Sequence, residues 1–120
     1  MAQKYIKGDI VMCKNRIHTI IDTLRLNNYE LSYVRHSVNQ AELSGVPITP
    51  EILEKNGWKR EAIHEYIISE IEYFDTKLTR VNLIYSMVSD TYRHDKHSMI
   101  YVHQLQHLLF GLGLNSEMEV

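Results

Sequence analysis

Residues Thr49–Trp58 read TPEILEKNGW, and this stretch decides the class of fold. Thr49 can accept hydrogen bonds from the free amides of a first helical turn, Pro50 suits the first helical position, and Glu51 favours the positive end of a helix. Gly57 can take the left-handed conformation that closes one. The pattern predicts a short helix over Thr49–Asn56, with Ile52 and Leu53 turned to a core onto which Trp58 folds back.

Working outward from this helix, the flanks are rich in strand signals. Upstream, Ile10–Cys13 and Ile17–Thr23 are β-rich runs separated by Lys14, Asn15 and Arg16, a hairpin-length turn. Asn27 and Asn28 introduce Tyr29–Val34, where Tyr29, Leu31 and Tyr33 alternate with Glu30, Ser32 and Val34, so three strands form a meander. Arg35–Val46 is polar and ambiguous, with Gly45 and Pro47 marking a turn.

Downstream, Ile63, Ile67, Ile71 and Phe74 sit at helical spacing, but the density of Ile, Tyr and Phe over Tyr66–Phe74 predicts a strand. Asp75, Thr76 and Lys77 read as a turn, Leu78–Val88 as a strand, Ser89–His97 as a loop and Ser98–Tyr101 as a short return strand. Val102, Leu105, Leu108, Leu109 and Leu112 then recur at helical spacing, and Gly111 and Gly113 end the segment, which predicts an amphipathic helix over 102–111. The expected architecture is α+β: a small antiparallel sheet or partial barrel with a short central helix and a C-terminal amphipathic helix, in one domain spanning 1–120. Ile52, Trp58, Leu105, Leu108 and Leu109 form its expected core, since both helices need the same sheet for cover.

Composition fits a folded domain. The 120 residues are 44% hydrophobic and 23% charged, far from the balance of disordered chains. No apolar run is long enough for a bilayer, and MAQKYIKGDI lacks the apolar core of a signal peptide. A lone Cys13 in an apolar run reads as a buried thiol, which suits a reducing compartment; a cytoplasmic location without membrane attachment is the expectation. Net charge is −2, giving no general attraction to nucleic acid. Residues 1–40 carry six Lys or Arg against three acids and residues 41–75 three against eight, so a weakly basic front meets an acidic middle.

TPEILEKNGW and YVHQLQHLLFGLGL (Tyr101–Leu114) resemble signatures of small uncharacterised proteins of Bacteroides-type bacteria and their prophages. GDIVMCKNRIHTI (Gly8–Ile20) is similar to the small twisted-barrel start of that group. The resemblance implies a β-rich N-terminal module, a short helix, further strands and a closing helix, and it shifts the functional expectation toward phage accessory proteins that act by binding. It carries no catalytic residue.

The residues themselves suggest several sites. His103 and His107, four apart on the last helix, bring two imidazoles to one side, although two ligands are too few for a metal. With Gln106 and Phe110 they form a mixed polar and aromatic stripe, fit for a small ligand or as a second contact face within the domain or a dimer. Arg93, His94, Lys96 and His97 surround Asp95 in a cluster able to hold an anion, and the amides at the start of the last helix can join it only if the chain returns on itself. Lys14, Arg16 and Arg25, with Tyr29 and Tyr33 on one strand face, offer a weaker nucleic-acid surface. Glu70 and Glu72 share a face if their segment is a strand. No phosphate loop, nucleophile elbow, paired-Cys metal site or metalloprotease motif is present.

The sequence therefore points to a non-enzymatic binding protein without cofactor or metal, a phage-derived accessory capturing a host component, either an anionic nucleotide-like ligand or a host protein. The expected ligand surface is Arg93, Lys96, His97, His103 and His107. A nucleic-acid-binding small β-barrel and a hydrolase are the alternatives, and uncovered sheet edges suggest a homodimer.

Overall fold

The computed structural model describes residues 4–62, 65–71 and 78–120. The turn expected at Asp75, Thr76 and Lys77, and the Glu72 expected to share a face with Glu70, lie outside them.

The chain opens with β1 (Ile10–Cys13) and β2 (Arg16–Thr23), paired so that Cys13 faces Arg16. Only Lys14 and Asn15 remain in the turn, both with positive φ, the conformation that matches the twist of a tight hairpin. β3 (Asn28–Leu31) continues the meander and β4 (Val38–Asn39) closes that side, while β5 (Leu43–Gly45) returns to pair with β1. The result is a curled antiparallel sheet in the order β4-β3-β2-β1-β5, a half-barrel. β3 ends three residues before the expected Val34, and Tyr33 takes φ +61° in the turn beyond it. The ambiguous Arg35–Val46 stretch holds β4 and β5, and Asn39 caps the 3-10 turn between them by accepting from the Ala41 amide.

α1 (Pro50–Lys55) forms as the sequence predicts: Thr49 Oγ1 accepts from the Ile52 amide, and Gly57, at φ +87°, lets the Trp58 amide donate back to the Leu53 carbonyl. A second antiparallel sheet follows, a meander of β6 (Lys59–Ala62), β7 (Glu65–Ile71), β8 (Leu78–Ser86), β9 (Thr91–His94) and β10 (His97–Met99), in the order β10-β9-β8-β7-β6. The strand reading of Tyr66–Phe74 holds over the described part of that segment. Ser89–His97 is not the expected loop, because β9 lies inside it. Its side chains are polar apart from Tyr92, so only one residue in four signals burial. Beyond β10, α2 spans Val102–Gly111, the bounds expected from its leucine spacing.

The two sheets meet at a seam. Pro47 and Tyr101 bridge in antiparallel fashion, the Ile48 amide donates to the Ile100 carbonyl, and the Val102 amide donates to the Val46 carbonyl. Gly45 is required here, since a Cβ at that position would lie 2.5 Å from Cγ of the Tyr101 ring. What the sequence marks as a turn glycine is a close-packing glycine.

β1 is buried on both faces, which explains its unbroken apolar run. Val11 and Cys13 join Tyr5, Ile20, Tyr29 and Leu31 inside the half-barrel. Ile10 turns the other way, to the larger core of Leu53, Trp58, Tyr66, Leu83, Val102, Leu105 and Leu109. Ile52 and Leu108 are partly buried against that core, so the expected core set is assembled with those two at its margin. No helix is long and apolar enough to cross a membrane among the described residues.

Candidate functional site

α2 is covered on two sides, and this decides what its polar residues do. Val102, His103, Leu105, Gln106 and Leu109 are all buried, a wider face than the leucines alone define. Gln106 is a structural clamp: its Oε1 accepts from the Ile10 amide at 2.9 Å, and its Nε2 donates to the carbonyls of Gly8 and Ser116. His103 is only 4% exposed, its ring stacked on Tyr101 and edge-on to Tyr5. Burial, with the neighbouring charges of His107 and Lys4, lowers its pKa to about 4, so it is a neutral ring at ordinary pH. His103 is therefore a core residue and not part of an open ligand surface, because the start of the half-barrel covers the stripe that the sequence left uncovered.

His107, one turn on, is only partly covered. Its Nε2 donates to Oδ2 of Asp9 at 2.7 Å, and the same oxygen accepts from the Ile6 amide. Asp9 is buried, which pushes its carboxyl pKa above the usual value, while the Ile6 amide and His107 pull it back. The imidazole is thus held by a carboxylate that solvent does not reach, and Nδ1 is the ring nitrogen left for other partners.

His107 lines a groove of about 440 Å³ between β10 and α2, together with His97, Ser98, Met99, Gln104, Leu108, Gly111 and Leu112. Among the described residues no carboxylate lines it. Two of the five expected site residues, His97 and His107, are brought together there. Lys96 stands beside His97 in the two-residue turn between β9 and β10, where Asp95 takes φ +53°. Arg93 is not among the residues that line the groove, although its cross-strand partner Ser98 is; the buried Tyr92 and Met99 pair with each other on the opposite face. His94, next along, donates from Nδ1 to the Asn82 carbonyl.

A second cleft, of about 370 Å³, lies on the other side of the link into α2. Ile100 and the Pro47–Pro50 segment line it along with Tyr66, Tyr85 and Tyr92, and its charged groups among the described residues are Glu54, Arg60 and Asp90. The sequence reading missed it. Its three tyrosines come from three adjacent strands, Tyr85 directly opposite Tyr92, and only the strand register gathers them. The ring centroids of Tyr85 and Tyr92 are 5.0 Å apart and those of Tyr66 and Tyr92 6.2 Å.

The weaker nucleic-acid surface does not assemble as expected, since Tyr29 is buried in the half-barrel and Tyr33 is exposed in the turn beyond β3. Cys13 is buried. Among the described residues no three His, Cys, Asp or Glu side chains gather as a metal set. Comparisons with protein-family models, with curated proteins and with solved structures return no match to this chain.

Proposed function

We propose that the chain is a non-enzymatic binding protein that takes a small anionic ligand of nucleotide type in the groove between β10 and α2. The observation that carries this reading is the groove's lining: two imidazoles, one fixed by a buried carboxylate, beside Met99, Leu108 and Leu112, with no acid side chain in the wall among the described residues. Aliphatic side chains can hold a flat heterocycle, while His97, Ser98 and the nearby Lys96 can meet an anionic group. The volume is in the range of small-molecule sites. Resemblance of both ends of the chain to small prophage proteins fits an accessory that captures a host component.

Adenosine monophosphate and inorganic phosphate are the first probes. Titration should move the ring resonances of His97 and His107 in NMR spectra. Gly111 supplies a groove-filling variant, because a Cβ there meets nothing within 4 Å. Gly111→Leu should abolish the shifts and leave the fold intact. Unmoved imidazoles at millimolar nucleotide, or shifts that persist in Gly111→Leu, would remove this groove as the site.

A further inference from the structure

The tyrosine-lined cleft has the opposite chemistry to the groove and is independent of it. Tyr66 and Tyr92 are buried beneath it, and Glu54 of α1 and Asp90 of the turn between β8 and β9 supply carboxylates. The Tyr85 hydroxyl donates to Oδ1 of Asp90. That bond places electron density on the Tyr85 ring, and the face of an electron-rich ring attracts a cation. Among the described residues the lining carries two carboxylates and Arg60, a net negative balance that opposes an anionic ligand. Phenol rings set at an angle to one another beside carboxylates are the complement of an ammonium or guanidinium group, since rings cover its alkyl stem or planar face while the acids meet its charge.

We propose that this cleft binds an organic cation, the primary ammonium or guanidinium head of a lysine or arginine side chain being the fitting form. The same chemistry would take a free polyamine, and the experiment separates the two sources.

The intact protein is titrated with three probes: a short peptide carrying lysine and arginine, the same peptide with glutamine at those positions, and spermidine. Ring resonances of Tyr66, Tyr85 and Tyr92 provide the readout. The basic peptide should shift them, the glutamine peptide should not, and added salt should weaken the effect. Spermidine shifting the rings where the basic peptide does not would assign the cation to a free polyamine and keep the proposal. Glu54→Gln and Asp90→Asn each remove one charge at an exposed position, and asparagine tolerates the positive φ of Asp90. Each should weaken binding roughly five-fold, and the pair together more than either alone. Thermal melting of both variants separates lost binding from lost fold. Ring shifts from neither cation at millimolar concentration, equal shifts from the glutamine peptide, or affinity unchanged in both folded variants would overturn the proposal. The histidine titration with nucleotide is read separately, so either site can fail without the other.

Discussion

The two clefts are separated by little more than the link from β10 into α2, with Met99 lining one and Ile100 the other, yet their chemistry is opposed. The groove is walled by imidazoles and aliphatic groups, the cleft by phenols and carboxylates. Adjacent residues in an extended link turn to opposite sides, so one short segment divides two chemically distinct surfaces. The charge asymmetry of the sequence has a local counterpart here: Glu54 of the acidic middle lines the tyrosine cleft, and among the described residues no acid lines the groove.

The test with the largest expected effect strikes what the two surfaces share. Leu105 is fully buried in the core under α2. Leu105→Ala should cost about 2 to 5 kcal/mol, read as the free energy of unfolding in urea, and should loosen both clefts together. A cost below about 1 kcal/mol would show that α2 is not anchored by this residue.

A second test asks whether the His103 side of α2 is core. Its imidazole pKa, near 4 in the folded chain against 6.5 ordinarily, means that the unfolded chain binds the proton first as pH falls. The stability contributed by neutral His103 is therefore full above about pH 6.5 and is lost progressively toward pH 4, a difference of order 3 kcal/mol. Asp9 works in the other sense, since its raised carboxyl pKa lets the folded form take a proton first, offsetting part of the loss at the acid end. Replacing His103 by Phe keeps a ring between Tyr5 and Tyr101 and should flatten the acid limb of the stability profile. An unchanged limb would place the acid sensitivity elsewhere.

The seam between the sheets gives a smaller effect. Gly45→Ala puts a Cβ 2.5 Å from the Tyr101 ring, which must move. A loss of about 1 to 3 kcal/mol is expected, with ring resonances disturbed on both sides of the link. Wild-type stability in this variant would mean that Tyr101 has free space to yield. Smallest in stability is Gly111→Leu: replacing a helical glycine should leave the melting temperature equal or slightly raised, while nucleotide binding is lost.

Much of the scaffold was legible in the sequence. The Thr49 cap, Pro50 and the Gly57 stop mark α1 through local backbone chemistry, and leucine spacing marks α2 to the residue. β4, β5, β6 and β9 were not legible because each has only two to four residues and is mostly polar or small, without the unbroken apolar run that marks the equally short β1. The sites were less readable still. His97 and His107 were expected from the sequence, and they line one groove, but the burial of His103 depends on the half-barrel laid over α2 and could not be read from helical spacing. The tyrosine cleft needs the register of β7, β8 and β9, set by long-range pairing and not by any local motif.

Adenosine monophosphate titrated into the intact protein, with histidine and tyrosine ring resonances followed in the same spectra, tests the division most directly. Progressive shifts of His97 and His107 with Tyr66, Tyr85 and Tyr92 unmoved are the expected result. Shifts confined to the three tyrosines, with both imidazoles still, would contradict the assignment of anions to the groove and of cations to the cleft.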